Sequence, residues 1–138
     1  MIKFIVLGEP IAQGRPRAGI RNGKISMRDP MKSRNFKQYV RLAASQHAPA
    51  ELFEGPLFLE VKVYKPLLKK FSKKKRLEAE NGLIRPTTKP DVDNYAKGIL
   101  DGLNSVIWKD DNQVVDLHVS KWYSEKPRVE VIIKELNG

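Results

Sequence analysis

The stretch 93–107 limits what this chain can fold into more than any other. Drawn as a helix at about 100° per residue, it puts Asp93, Lys97, Asp101 and Asn104 within about 80° of one another. Tyr95, Ala96, Ile99, Leu100, Leu103, Val106 and Ile107 fall on the opposite side. A helix so divided has one wet face and one that must be covered, so the rest of the chain has to supply a core for it. The spacing predicts a helix over about 93–106.

Strands are the natural cover. Residues 2–7 are β-branched and aliphatic and stop at Gly8-Glu9-Pro10. Residues 57–64 read as a second strand whose latter half alternates apolar and polar, and 113–123 and 127–135 as two more, joined through Ser124 to Pro127. Asn22-Gly23 is a type I′ turn signal and predicts a short hairpin over 18–27. Asp29 followed by Pro30 opens a helix that runs to about Ala48, with Phe36, Val40 and Ala44 every fourth residue. Ser72 caps a short basic helix over 73–80, which Asn81-Gly82 stops. Residues 83–90, with Pro86 and Pro90, are expected to be extended. This order of elements predicts one α+β domain over 1–138: a mixed β-sheet of about four to five strands with two to three helices packed on it.

The chain's 138 residues suit a single domain, and its lack of cysteine excludes a disulfide framework, a thiolate nucleophile and Cys-ligated zinc. No apolar run nears the ~20 residues that span a bilayer, and the first residues lack the pattern of a secretory signal. No membrane partner and a cytoplasmic location are expected.

The formal charge of +10 is unevenly divided. Residues 1–90 hold 20 basic and 7 acidic residues, whereas 91–138 hold 6 and 9. Six aspartates fall within 91–116, among only two lysines. A basic body with one carboxylate-rich segment suits an enzyme of nucleic acid, since cations neutralise phosphates and carboxylates hold catalytic metal ions. Asp91 and Asp93, two apart beside Pro90, can converge from an extended backbone, and Lys97 follows Asp93 by one helical turn. Asp110-Asp111 can fold back toward them across a short turn. Oxygen ligands without His or Cys suit Mg²⁺ or Mn²⁺ rather than zinc. The same residues also admit a plainer use as a helix cap, an i,i+4 ion pair and a solvated turn.

The string Lys89-Pro90-Asp91-Val92-Asp93-Asn94-Tyr95-Ala96-Lys97, continued to Asn104 and followed by Trp108-Lys109-Asp110-Asp111-Asn112-Gln113-Val114-Val115-Asp116, resembles the signature of the RusA family of Holliday-junction resolvases. The likeness extends more loosely to the Gly14-Arg15-Pro16-Arg17 loop and to Ser72-Lys73-Lys74-Lys75-Arg76. It implies a homodimeric, Mg²⁺-dependent endodeoxyribonuclease of recombination and repair, of a kind often carried by prophages. Such an enzyme makes paired nicks in four-way junctions and leaves 5′-phosphate and 3′-hydroxyl ends. It further implies that Asp91, Asp93 and Asp111 hold Mg²⁺, with Mn²⁺ as a substitute, and that Lys97 is catalytic beside them. Arg15, Arg17, Lys73, Lys74, Lys75, Arg76 and Lys89 are expected to contact DNA. Two rival readings stand beside this one: a non-catalytic basic protein that binds branched DNA, and a metal-dependent nuclease acting on flaps or RNA.

Overall fold

A computed structural model describes residues 1–12, 17–21, 24–28 and 31–136, with backbone alone over 17–21 and 24–28. Four strands form the main sheet: β1 (Ile2–Leu7), β4 (Leu57–Pro66), β5 (Val114–Ser124) and β6 (Arg128–Glu135), in the spatial order β1-β6-β4-β5. β6 runs antiparallel to both β1 and β4, while β5 lies parallel to β4 at the sheet edge, so the sheet is mixed. β2 (Arg17–Arg21) and β3 (Lys24–Arg28) pair separately as the expected hairpin. The helices are α1 (Met31–Ser45), α2 (Lys73–Glu80) and α3 (Val92–Leu103). The architecture is α+β, as the order of elements predicted. No helix among the described residues is long and apolar enough to cross a membrane.

Period-two patterning builds one face of the sheet. Leu57, Leu59, Val61 and Val63 of β4 are buried with Val129, Val131 and Ile133 of β6 and with Phe4 and Val6 of β1. Each such side chain contributes roughly 1.5–3 kcal/mol on burial. Phe36, Val40 and Ala44 of α1 and Tyr95, Ala96, Ile99 and Leu103 of α3 complete the core. The two helices touch closely at Gly102, where a Cβ would lie 2.7 Å from Val40 Cγ1. Lys37 of α1 pairs with Asp101 at 3.1 Å, and the Arg41 guanidinium donates to the Asn104 carbonyl at the C-terminal end of α3. That end carries partial negative charge, which a cation offsets.

Three boundaries differ from the expected ones. α1 stops at Ser45 rather than near Ala48, as the His47 amide turns back to the Ala44 carbonyl before Pro49. α3 stops at Leu103, not Val106, because Ser105 takes a left-handed φ of 66° and returns its amide to the Trp108 carbonyl. That reversal buries Trp108 completely, where continuation of the helix would turn it toward the polar stripe, and Ile107 is buried with it. Residues 83–90 bend at 83–84 and again at 88–90 instead of running straight. The Asn22-Gly23 turn and the Asp29-Pro30 cap lie outside the described residues.

Candidate active site

α3 begins where the sheet needs a helix to cover it, and its first turn is acidic. Asp91 is the N-cap, with extended backbone (φ −71°, ψ 155°) and no side-chain capping bond. Asp93 sits in the first helical turn and Lys97 one turn later, all three exposed. Asp91 therefore sits at a helix cap and Asp93 on the first helical turn, rather than together on the extended strand that their i,i+2 spacing suggested. The side chains of Asp91, Asp93 and Lys97 make no hydrogen bond or ion pair among the described residues. A capping carboxylate normally accepts an amide hydrogen, and an Asp and Lys at i,i+4 readily pair. Neither happens here, so three charged groups stand uncommitted at a helix N-terminus that favours negative charge.

The segment leading into Asp91 is held by two lysines. Lys65 Nζ donates to the Lys89 carbonyl at 3.1 Å, and Lys121 Nζ donates to the Thr88 and Pro90 carbonyls at 2.8 and 3.0 Å. Burial lowers the Lys65 pKa, the nearby Lys121 charge lowers it further, and Glu9 partly opposes both. Sequence reasoning missed both lysines, although a signal existed. Each continues the core-facing register of its strand, Lys65 after Leu59, Val61 and Val63 and Lys121 after Leu117 and Val119. A charged residue in an inward row needs a polar partner, and here the partner is the carbonyl run before Asp91.

Asp91 and Asp93 line adjacent concavities. Asp91 shares a cleft of about 730 Å³ with Glu9, Lys65, Lys89, Asn94 and Tyr95. Asp93 and Lys97 share a groove of about 480 Å³ with Val92, Leu100, Leu117 and Val119. Asp111 lies elsewhere. It opens a single turn of 3₁₀ helix before β5 and accepts a 2.8 Å hydrogen bond from the indole N–H of buried Trp108. Burial pushes its carboxyl pKa up, the Trp108 bond opposes this, and Asp101 and then Asp110 raise it again. Asp101 is eight residues along α3 from Asp93, or about 12 Å at 1.5 Å per residue. Asp110 is used differently, as a cap that accepts from the Asn112 amide, with Gln113 closing the box.

Among the described residues no three His, Cys, Asp or Glu side chains gather as a metal site. Two uncommitted carboxylates nevertheless fit a hard divalent cation, because Mg²⁺ is commonly held by one or two carboxylates and keeps several waters. The donor set has no imidazole or thiolate to favour zinc.

The basic residues surround this end of the fold unevenly. Lys73, Lys74, Lys75 and Arg76 are all exposed on α2, which Ser72 caps by accepting from the Lys75 amide. The helix is anchored by buried Ala79 and by Glu80, whose carboxylate accepts from the Ser124 hydroxyl and the Glu125 amide. Lys89 is exposed at the cleft. Arg15 lies outside the described residues, and Arg17 is placed in β2 by its backbone alone. Arg85 was not anticipated. Its guanidinium lies 3.4 Å from the Trp122 ring centroid, in a geometry that holds a cation on an aromatic face.

The chain is 64% identical over 139 residues to the uncharacterized protein YqaN of Bacillus subtilis (strain 168), covering 99% of this chain and 98% of that protein. Residues 8–134 match the family described as endodeoxyribonuclease RusA, a span that includes the acidic start of α3, the Asp110-Asp111 turn and α2. The chain belongs to the RusA family of endodeoxyribonucleases.

Proposed function

We propose that this protein, as one RusA-like domain over 1–138, resolves four-way DNA junctions by paired, Mg²⁺-dependent phosphodiester cleavage. The observation that carries the reading is the uncommitted set Asp91, Asp93 and Lys97 on the first two turns of α3. In a family of endodeoxyribonucleases, unpaired carboxylates beside an unpaired lysine are suited to a metal and a phosphate rather than to stability. Asp91 and Asp93 would hold Mg²⁺, which when bound lowers the pKa of water and offsets charge on the phosphate. Lys97, with its ammonium group free, neutralises the charge that builds on the non-bridging oxygens. Lys65 and Lys121 fix the carbonyls before Asp91, so the carboxylate meets its ligand pre-positioned. Water attack in line with the leaving 3′ oxygen gives 5′-phosphate and 3′-hydroxyl ends.

Asp111 joins this site from a second copy in the same reading. Within one chain it lies in the turn before β5, bound to the Trp108 indole, and lines neither the Asp91 cleft nor the Asp93 groove. The groove beside Asp93 is apolar and open, and Val92, Val115 and Leu117 on α3 and β5 are 41%, 60% and 44% exposed. A two-fold dimer across that face would bring a partner turn toward each Asp93 and set two active sites on opposed junction strands.

The decisive experiment incubates the protein with four-way junction, duplex, flap and RNA substrates, with and without Mg²⁺. Paired nicks confined to the junction and dependent on metal are expected. Junction binding without cleavage in any divalent cation would return the protein to a non-catalytic DNA-binding role, and preferential cutting of flaps or RNA would change the substrate. Asp93→Asn should abolish nicking while sparing junction binding, which a gel shift reads alongside.

A further inference from the structure

The cleft at the start of α3 contains groups that metal binding and phosphate neutralisation leave unused. Glu9 leaves the end of β1 after Gly8, whose φ of +105° suits glycine, and its carboxylate acts electrostatically on both Lys65 and Tyr95. The Tyr95 side chain is only 2% exposed and lines the same cleft. Its hydroxyl has no hydrogen-bond partner among the described residues. A buried hydroxyl without an acceptor is costly, and an occupant that supplies one recovers that cost. The walls are apolar at Pro10, Ile11 and Pro90, and the rim carries Lys89 beside Asp91.

This combination selects among ligand classes. An isolated phosphate is poorly matched, because Glu9 and Asp91 repel it. A divalent cation at Asp91 leaves the Tyr95 hydroxyl, Lys89 and the apolar walls of the same cleft without a partner. A planar heterocycle that offers a donor and an acceptor side by side, with a phosphate attached, fits every group. Its donor would meet the Glu9 carboxylate, its acceptor the Tyr95 hydroxyl, its faces Pro10, Ile11 and Pro90, and its phosphate Lys89, all of which line the cleft. The volume of about 730 Å³ lies within the range of pockets that enclose small ligands, roughly 300–1,000 Å³.

We propose that this cleft receives one unpaired base of branched DNA, adjacent to the phosphodiester held at Asp91 and Asp93, and so selects branch points over continuous duplex. It rests on the nuclease reading above. In duplex the base edge that Glu9 and Tyr95 would engage is already paired, and extruding the base costs unstacking energy; at a branch point that cost is smallest.

The test uses a four-way junction carrying 2-aminopurine at single positions either side of the cut, bound in EDTA by wild-type protein, Glu9→Gln and Tyr95→Phe. Tyr95→Phe removes only a hydroxyl that has no hydrogen-bond partner among the described residues, so its fold is preserved. A fluorescence rise confined to one nucleotide beside the cut, diminished in both variants, is expected. In Mg²⁺ each variant should also cut a junction more slowly by about two- to tenfold, the worth of one hydrogen bond. A wild type that cuts junctions but shows no position-confined rise, or a rise equal in both variants, overturns the proposal. So does a variant that changes only the Mg²⁺ concentration needed for cleavage, which would make the cleft a metal site. If the wild type cuts nothing, the nuclease reading fails, and the fluorescence in EDTA still decides the cleft.

Discussion

At the scale of single residues, the site is defined by what its side chains do not touch. Lys97 stands one turn from Asp93 with no ion pair among the described residues, although the spacing allows one. Its charge is therefore available to a phosphate. Lys97→Ala should slow cleavage by about a hundredfold or more, the scale of losing one preorganised electrostatic group, while junction affinity changes little. Single-turnover rates compared with gel-shift affinities check this, and an equal loss in both would make Lys97 a simple backbone contact. Tyr95 offers a second measurement. Burial, aided by Glu9, pushes its pKa from 10.0 up to about 12. The folded state therefore favours the un-ionised phenol, so this contribution to stability is complete below pH 10 and is lost as pH rises through about 12. A tyrosinate absorbance titration should show a late phase near pH 12, and Tyr95→Phe should remove it.

At the scale of elements, legibility in the sequence followed periodicity. The amphipathic stripe of α3 and the alternation of β4 were readable because burial imposes a period of about 3.6 or 2 residues on the side chains themselves. The basic α2 was readable from its Ser72 cap, which the structure bears out. The end of α3 was not, since the demand to bury Trp108 and Ile107 comes from the fold and not from local preference. Nor was the bond between Asp111 and the Trp108 indole, because the length of a turn does not fix which side chain its carboxylate meets. The glycine at the α1–α3 contact had a purpose that no spacing revealed. Gly102→Ala should gain about 1 kcal/mol in helix propensity, yet its Cβ would meet the stiff side chain of Val40 at 2.7 Å and the Lys37 carbonyl at 3.2 Å. Overpacking of this kind costs about 1–3 kcal/mol, so the variant should melt lower, which thermal unfolding by circular dichroism checks. α2 makes the complementary case on the surface. Replacing Lys73, Lys74 and Lys75 together by Gln should weaken junction binding and flatten the dependence of log K on log salt by up to about 2–3 units. Cleavage at saturating protein should hardly change. An unchanged slope would leave α2 a solvated face and shift the DNA contacts to Arg15 and Arg17.

At the scale of the whole molecule, the question is whether one chain owns one active site. Asp91 and Asp93 open α3, whereas Asp111 opens the 3₁₀ turn before β5 and accepts from the Trp108 indole, and Val92, Val115 and Leu117 are exposed. A dimer across these apolar residues predicts sites built from Asp91 and Asp93 of one copy with Asp111 of the other. Asp93→Asn and Asp111→Asn homodimers should each be inactive. Mixed and allowed to exchange subunits, they would form heterodimers in which one site carries both substitutions and the other carries neither. Such a heterodimer should nick a junction on one strand without resolving it, because only one of its two sites is whole. If instead each chain supplied all three aspartates, every site in the mixture would carry one lesion and no cleavage would return. A strand-specific nicking assay on the mixed variants separates the two arrangements. The amount of nicking should rise with the fraction of heterodimer, reaching its maximum at equal proportions of the two chains.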